Sequence, residues 1–175
     1  MQREINGMTI ECRQGDITDQ PDIDIIVNAA NKQLKGGGGV DGAINRAAGP
    51  KLVEASLKLA PIEAGEAVIT DAFELPNRHV VHCVGPVYSQ SQPVAAQLAS
   101  CYRTAMQLAE DHAAASIAFP AISCGVYGYP LDEAADIALG TVADCASRAQ
   151  SVKTVRFVLF SQDVLAAFER ALSAH

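Results

Sequence analysis

Ile23-Asp24-Ile25-Ile26-Val27-Asn28-Ala29-Ala30-Asn31 leads through Lys32 to Lys35 into Gly36-Gly37-Gly38-Gly39-Val40-Asp41-Gly42, and then into Ala43-Ile44-Asn45-Arg46-Ala47-Ala48. The isoleucine-rich run Ile23 to Val27 reads as a buried strand. Gly39 or Val40 begins a helix that reaches Ala48 and stops at Gly49-Pro50. Strand, glycine loop and helix in that order form the strand-to-helix half of an α/β unit.

A second stretch repeats the arrangement. Ser116 to Phe119 is a short strand stopped by Pro120. Ser123-Cys124-Gly125-Val126-Tyr127-Gly128 follows, and Pro130 opens a helix over Leu131 to Ala146. Glycine lets a ligand come close to backbone N–H groups. A helix start adds unpaired N–H groups and partial positive charge, which suits phosphate. Two such loops point to two cradles around one diphosphate, hence a nucleotide-like ligand held mostly by backbone.

The remaining segments extend this pattern. Asn6-Gly7 marks a hairpin turn of type I′ before a strand over Met8 to Arg13. Lys51 to Leu59 reads as a helix with Leu52, Ala55 and Leu59 on one side. Ala67 to Ile69, Val80 to Val84 and Val155 to Phe160 read as strands; Gln92 to Ala114 and Val164 to Leu172 read as helices. An opening hairpin followed by strand–helix alternation predicts an α/β fold with a mixed, mainly parallel sheet and helices on both faces. Ligands on such sheets sit outside the carboxyl ends of the strands, where both glycine loops lie. No internal linker interrupts residues 1–175, so the expectation is one domain.

Composition narrows the function classes. Hydrophobic residues make up 49% and charged residues 19% of 175 residues, an ordinary globular balance. No apolar stretch is long enough for a membrane span, and Met1-Gln2-Arg3-Glu4 lacks the apolar core of a signal peptide. The net charge of -7 disfavours nucleic acid, whose binding rests on Lys and Arg. Backbone amides remain suited to one small anion. The five cysteines and four histidines show no zinc spacing. Reduced thiols in a cytoplasmic protein are the simplest expectation.

Several side chains are candidates for chemistry. Asn28 fits a turn-holding role, as asparagines often do, whereas Asn31, nearer the glycines, faces the ligand. Asp41 at the helix start could merely complement the helix dipole. Beside a phosphate cradle a carboxylate needs another reason, such as activating water or gripping a sugar hydroxyl. Gly37 to Gly42 fits GxGxxG, but Asn28 to Lys35 separate it from the strand, unlike a dinucleotide fingerprint. Ser123 resembles an elbow nucleophile without a suitable histidine after it. Cys124 has no evident base, so both read as small loop residues. Gly125, Val126 and Gly128 offer amides, and Tyr127 could cover a sugar. Asp16 either caps a turn or accepts from an exocyclic amine; Phe160 either packs in the core or stacks on a base. His79 and His82 read as structural or surface residues.

Taken together, Gly15-Asp16-Ile17-Thr18, Asp24 to Asn31, Gly36 to Gly49 and Pro120 to Pro130 resemble the macrodomain family over nearly the whole chain. The branch is similar to the MacroD-type hydrolases and bacterial O-acetyl-ADP-ribose deacetylases. The resemblance implies a three-layer αβα sandwich that binds ADP-ribose. It places Asp16 and Ile17 at the adenine, with Phe160 nearby. It places Gly39, Val40 and Ser123, Cys124, Gly125, Val126 and Tyr127 around the diphosphate and distal ribose. Asn31 would bind that ribose, and Asp41 would act at the scissile ester. Cys124 departs from the family's usual threonine or other small residue. The implied activity is ester hydrolysis at the distal ribose, on O-acetyl-ADP-ribose or mono-ADP-ribosylated acidic side chains. No cofactor or metal is expected, and ADP-ribosylated proteins are the expected macromolecular substrates. The alternative is a reader that binds ADP-ribose without catalysis.

Overall fold

The two central residues of the opening hairpin both have positive φ, 49° at Asn6 and 82° at Gly7, as a type I′ turn requires. They join β1 (Gln2–Ile5) to β2 (Met8–Gln14) in the computed structural model, which describes residues 1–175. The chain continues through β3 (Ile25–Ala29), α1 (Gly39–Ala48), α2 (Lys51–Leu57), β4 (Ala67–Asp71), β5 (His79–Cys83), α3 (Val94–Asp111), β6 (Ser116–Phe119), α4 (Leu131–Ala146), β7 (Thr154–Leu159) and α5 (Gln162–Ser173).

One sheet takes the order β1-β2-β7-β6-β3-β5-β4. The five inner strands run parallel, and β1 and β4 close the edges antiparallel. Alternation along each strand separates two cores. Ile25, Val27, Val81, Cys83, Ile117, Phe119, Val155 and Phe157 pack with α3, α4 and α5. Ile26, Val80, Ala118 and Val158 pack with Ile44 and Ala48 of α1 and Leu52 of α2. The architecture is therefore the expected αβα sandwich, and the parallel strands deliver their carboxyl ends to a single rim.

Most of the other strands and α5 depart from their expected bounds by one or two residues; the boundaries of β3, α2 and α3 differ for identifiable local reasons. β3 begins at Ile25 rather than Ile23. Asp24 instead ties the strand entrance: its N–H donates to Ser116 Oγ at 2.9 Å and its Oδ2 accepts Ala115 N–H at 2.8 Å. α2 ends at Leu57 rather than Leu59, where Leu59 N–H bonds to Ser56 carbonyl in a tightened last turn. Its buried residues are Leu52 and Ser56, while Leu59 is exposed. α3 is shorter than Gln92 to Ala114, starting after Pro93 and ending before Ala113, whose φ is 53°.

One buried cation ties β7 to β2 and to the segment that follows β2. Glu11 and Arg156 are register partners on β2 and β7. Arg156 Nε donates to Glu11 Oε2 at 2.6 Å, and its Nη1 donates to Gln20 Oε1 at 2.9 Å. Nη1 and Nη2 grip both oxygens of Asp22 at 2.9 and 2.8 Å, the bidentate geometry that favours arginine. The Arg156 hydrogen bonds hold the Asp22 carboxyl down at about 2. A depressed carboxyl contributes stability above its unfolded value and loses it as pH falls toward the folded value. Asp22→Asn is therefore expected to be less stable than the parent at pH 7, and the gap should close between about pH 4 and pH 2. Urea denaturation across that range checks this; a pH-independent gap contradicts it.

Candidate functional site

Along the rim, the sheet order places the candidate residues in a row. Asp16 and Ile17 follow β2, Phe160 follows β7, the loop Ser123 to Gly128 follows β6, and the loop Gly36 to Asp41 follows β3. Gly15 N–H bonds to Leu159 carbonyl at 3.0 Å and fastens the first two of these exits together. Three inter-strand steps separate β2 from β3, roughly 14 Å. An elongated ligand lying across the rim would meet every segment in turn.

The two loops present backbone donors. The N–H groups of Gly36 to Asp41 have no backbone acceptor, nor do those of Gly125, Val126 and Tyr127. The first set opens α1, whose N-cap Gly38 carries no side-chain cap. Unpaired N–H groups and the helix dipole give this end positive potential. A Cβ at Gly42 would lie 2.6 Å from Gly37 carbonyl oxygen, so the helix and the glycine loop touch through bare backbone.

Asp41 lies under the first loop with 6% exposure. Its Oδ1 accepts from Asn28 Nδ2 at 2.9 Å and Asn45 Nδ2 at 2.8 Å. Its Oδ2 accepts neither, and lies beside Gly37 with Asn31 Nδ2 close by. Burial raises the Asp41 carboxyl above its ordinary value, opposed by the Asn28 and Asn45 hydrogen bonds. The site thus holds a desolvated carboxylate with one oxygen fixed and one facing the loop, an arrangement suited to general base work.

The two early asparagines make different contacts, and Asn28 departs from the turn-holding role expected of it. Asn31 braces the loop: its Nδ2 donates to Gly36 carbonyl at 2.9 Å and its Oδ1 accepts Lys35 N–H at 3.2 Å. Asn28 holds no turn; it reaches both Asp41 and His82 Nδ1, the latter at 3.2 Å. His82 is buried, its Nε2 lies 3.0 Å from Thr70 Oγ1, and burial lowers its ring to about 4. Sequence reasoning missed Asn45 and Thr70 and undervalued Asn28 and His82. The available signals were the i, i+4 spacing of Asp41 and Asn45 on a helix, and the period-2 positions of Asn28 after Ile26 and His82 after Val80.

The second loop is pinned from beneath. Ser123 takes φ 66°, and its hydroxyl donates to Pro86 carbonyl at 2.7 Å, so that hydroxyl is engaged in the loop itself. Tyr129 N–H bonds to Ser123 carbonyl at 3.0 Å, and Tyr88 N–H bonds to Tyr127 carbonyl at 2.9 Å. Cys124 is half-buried, and burial pushes its thiol up to about 11, which suppresses the nucleophilic thiolate. Val126 is fully exposed and Phe160 is 62% exposed, so Phe160 presents its ring at the rim rather than in the core. Asp16 Oδ1 accepts Thr18 N–H at 2.9 Å and Thr18 Oγ1 at 2.7 Å, bonds that lower its pKa. Ile17 is buried in the α1 core.

A parallel-centred sandwich with a rim of amide donors beside a buried carboxylate defines an anion-binding α/β module. The chain belongs to the Macro domain family, whose sequence model matches residues 27–138. A relative from Klebsiella pneumoniae bearing the name O-acetyl-ADP-ribose deacetylase is 48% identical over 166 residues, 92% of this chain and 94% of that protein. Others of similar identity, including one from Xanthomonas campestris, carry the family name alone. The Oceanobacillus iheyensis macrodomain with ADP superposes at a TM-score of 0.93 with 42% identity, covering 99% of this chain and 95% of that one. The Trypanosoma brucei macrodomain in complex with ADP-ribose superposes at 0.87 with 38% identity, covering 93% and 68%.

The Gly42–Gly37 contact leaves no room for a methyl group. Gly42→Ala is expected to cost about 1–3 kcal/mol by overpacking, partly offset by about 1 kcal/mol of helix propensity. It should also speed amide hydrogen exchange from Gly36 to Asp41. Unchanged exchange with an unchanged or raised melting temperature contradicts the contact.

Proposed function

We propose that this chain binds ADP-ribose across the rim and hydrolyses esters at its distal ribose, from O-acetyl-ADP-ribose or from ADP-ribosylated acidic side chains. The observation that carries the reading is the buried Asp41 carboxylate set beside the row of unpaired loop amides. Amides alone would serve a reader; a carboxylate next to a phosphate cradle opposes the ligand's charge and needs a chemical use. The names and ligands of the relatives agree with this substrate class.

In this reading the adenine lies at the β2 and β7 exits. Asp16 Oδ2, which accepts no protein hydrogen bond, takes its amine, with Ile17 beside it and Phe160 against the ring. The diphosphate lies between the amides of Gly39 and Val40 and those of Gly125, Val126 and Tyr127, with Ser123 and Cys124 shaping the turn. The distal ribose then reaches Asn31 and Asp41. Asp41 Oδ2 orients or deprotonates a water that attacks the ester carbonyl carbon, and a ligand phosphate oxygen can share that base role. The carbonyl–ribose oxygen bond breaks, and the ribose oxygen leaves with a proton. Acetate and ADP-ribose result, and no resident metal is called on. Fixing the ester against a held water supplies proximity and orientation.

Asp41→Ala should lower acetate release from O-acetyl-ADP-ribose by about 10²–10⁴-fold, the usual contribution of a positioned general base, while ADP-ribose affinity changes far less. Turnover assays paired with titration calorimetry check this. Parental turnover in the variant removes the catalytic role; a parent that binds but does not turn over is a reader.

A further inference from the structure

We infer that Asn28, locked in orientation by His82 and Thr70, is the positioning residue that aims the Asp41 carboxylate; its bearing on turnover rests on the function proposed above. Asn28 and His82 are direct register partners on β3 and β5. They follow Ile26 and Val80 by two residues, on the face that packs against α1.

The contacts admit one consistent arrangement of protons. Thr70 Oγ1 donates to Asp71 carbonyl at 3.0 Å, so the same oxygen receives the proton of His82 Nε2 at 3.0 Å. A proton on Nε2 of the neutral ring leaves Nδ1 as an acceptor. Nδ1 takes one hydrogen of Asn28 Nδ2 at 3.2 Å, and Asp41 Oδ1 takes the other at 2.9 Å. Turning the amide over would aim its carbonyl oxygen at a carboxylate and a ring lone pair together. Donation therefore runs outward from Asn28, to Asp41 on one side and through His82 to Thr70 of β4 on the other.

The cost of this direction is visible. Asn28 Oδ1 is buried with no partner, a condition that calls for an explanation in a packed interior. Both amide hydrogens are used on Asp41 and His82, and the carbonyl is left over. With Asn45 donating from α1, Oδ1 of Asp41 is held from two separate elements. That sets the plane of the carboxylate and turns Oδ2 toward the loop. The hydrogen bonds of Thr70 and His82 reach Asp41 only by way of Asn28, so they act on Asp41 through it.

The test combines spectra with kinetics on the full chain. Imidazole ¹⁵N NMR at pH 7 should show His82 with Nε2 protonated and Nδ1 bare. The opposite tautomer or a charged ring overturns the inference. His82→Leu and Asn28→Ala should each lower kcat on O-acetyl-ADP-ribose by roughly 10- to 100-fold, as misplacement of a catalytic group does, with ADP-ribose affinity kept within about twofold. His82→Asn, whose side-chain oxygen can stand in for Nδ1, should recover most of that loss. Thr70→Val, of similar shape and at the far end of the relay, covers the case where His82→Leu fails to fold, and should lower kcat about threefold while mixing the His82 tautomers. Folded Asn28→Ala and Thr70→Val proteins with lowered melting temperatures but parental kcat assign these residues to stability alone and overturn the inference. A parent that binds ADP-ribose yet releases no acetate refutes the proposed hydrolysis instead, and the imidazole spectra then decide the positioning role.

Discussion

A carboxylate taken out of water must be given hydrogen bonds in exchange, and the arrangement of this protein's working end follows from how Asp41 receives its two. One comes from the sheet, through Asn28 at the carboxyl end of β3. The other comes from the helix, through Asn45 one turn along α1. The donors lie on opposite sides of the glycine loop, so the carboxylate can be satisfied only when that loop brings α1 down onto β3. The bare-backbone contact of Gly42 with Gly37 permits that approach. Local flexibility, helix docking and the ionisation of one side chain are thereby linked, because losing any one leaves a charge without partners.

The parallel sheet adds the second constraint. Its five inner strands share a direction, so every chain exit that matters lies at one edge. Strand order then decides what can be neighbours. Asp16 and Phe160 are far apart in sequence but adjacent in space because β2 pairs with β7. The first loop sits beside the second because β3 pairs with β6. A row of short, unrelated segments becomes one continuous surface without any long functional loop.

Much of this was legible in the residues. Apolar runs and the Asn-Gly turn gave the element order, and the placement of the glycine loops between strand and helix marked the rim. Asp41 stood out because a negative charge beside an amide cradle conflicts with the cradle's own chemistry. The division of labour between Asn28 and Asn31 was not legible. In the sequence both follow the apolar run Ile23 to Val27, and proximity to the glycines favoured Asn31 as the ligand-facing residue. Only the register of β3 with β5 reveals that Asn28 lies against a buried histidine and points at Asp41. Cross-strand pairing is non-local, and no spacing within one segment encodes it. Phe160 was undecided for a related reason: it stands one residue past the ladder, where alternation no longer dictates which way a side chain faces.

The anchoring of the second loop has a mechanical consequence. Ser123 holds Pro86 through its hydroxyl, Tyr127 holds Tyr88 through its carbonyl, and Gly85 passes so close beneath that a methyl group there would strike Ser123 and Ile122. The segments leaving β5 and β6 are thus laced into one slab. Moving either segment therefore has to carry the other with it or sever both ties, so this stretch of the rim yields as a plate rather than as a flap.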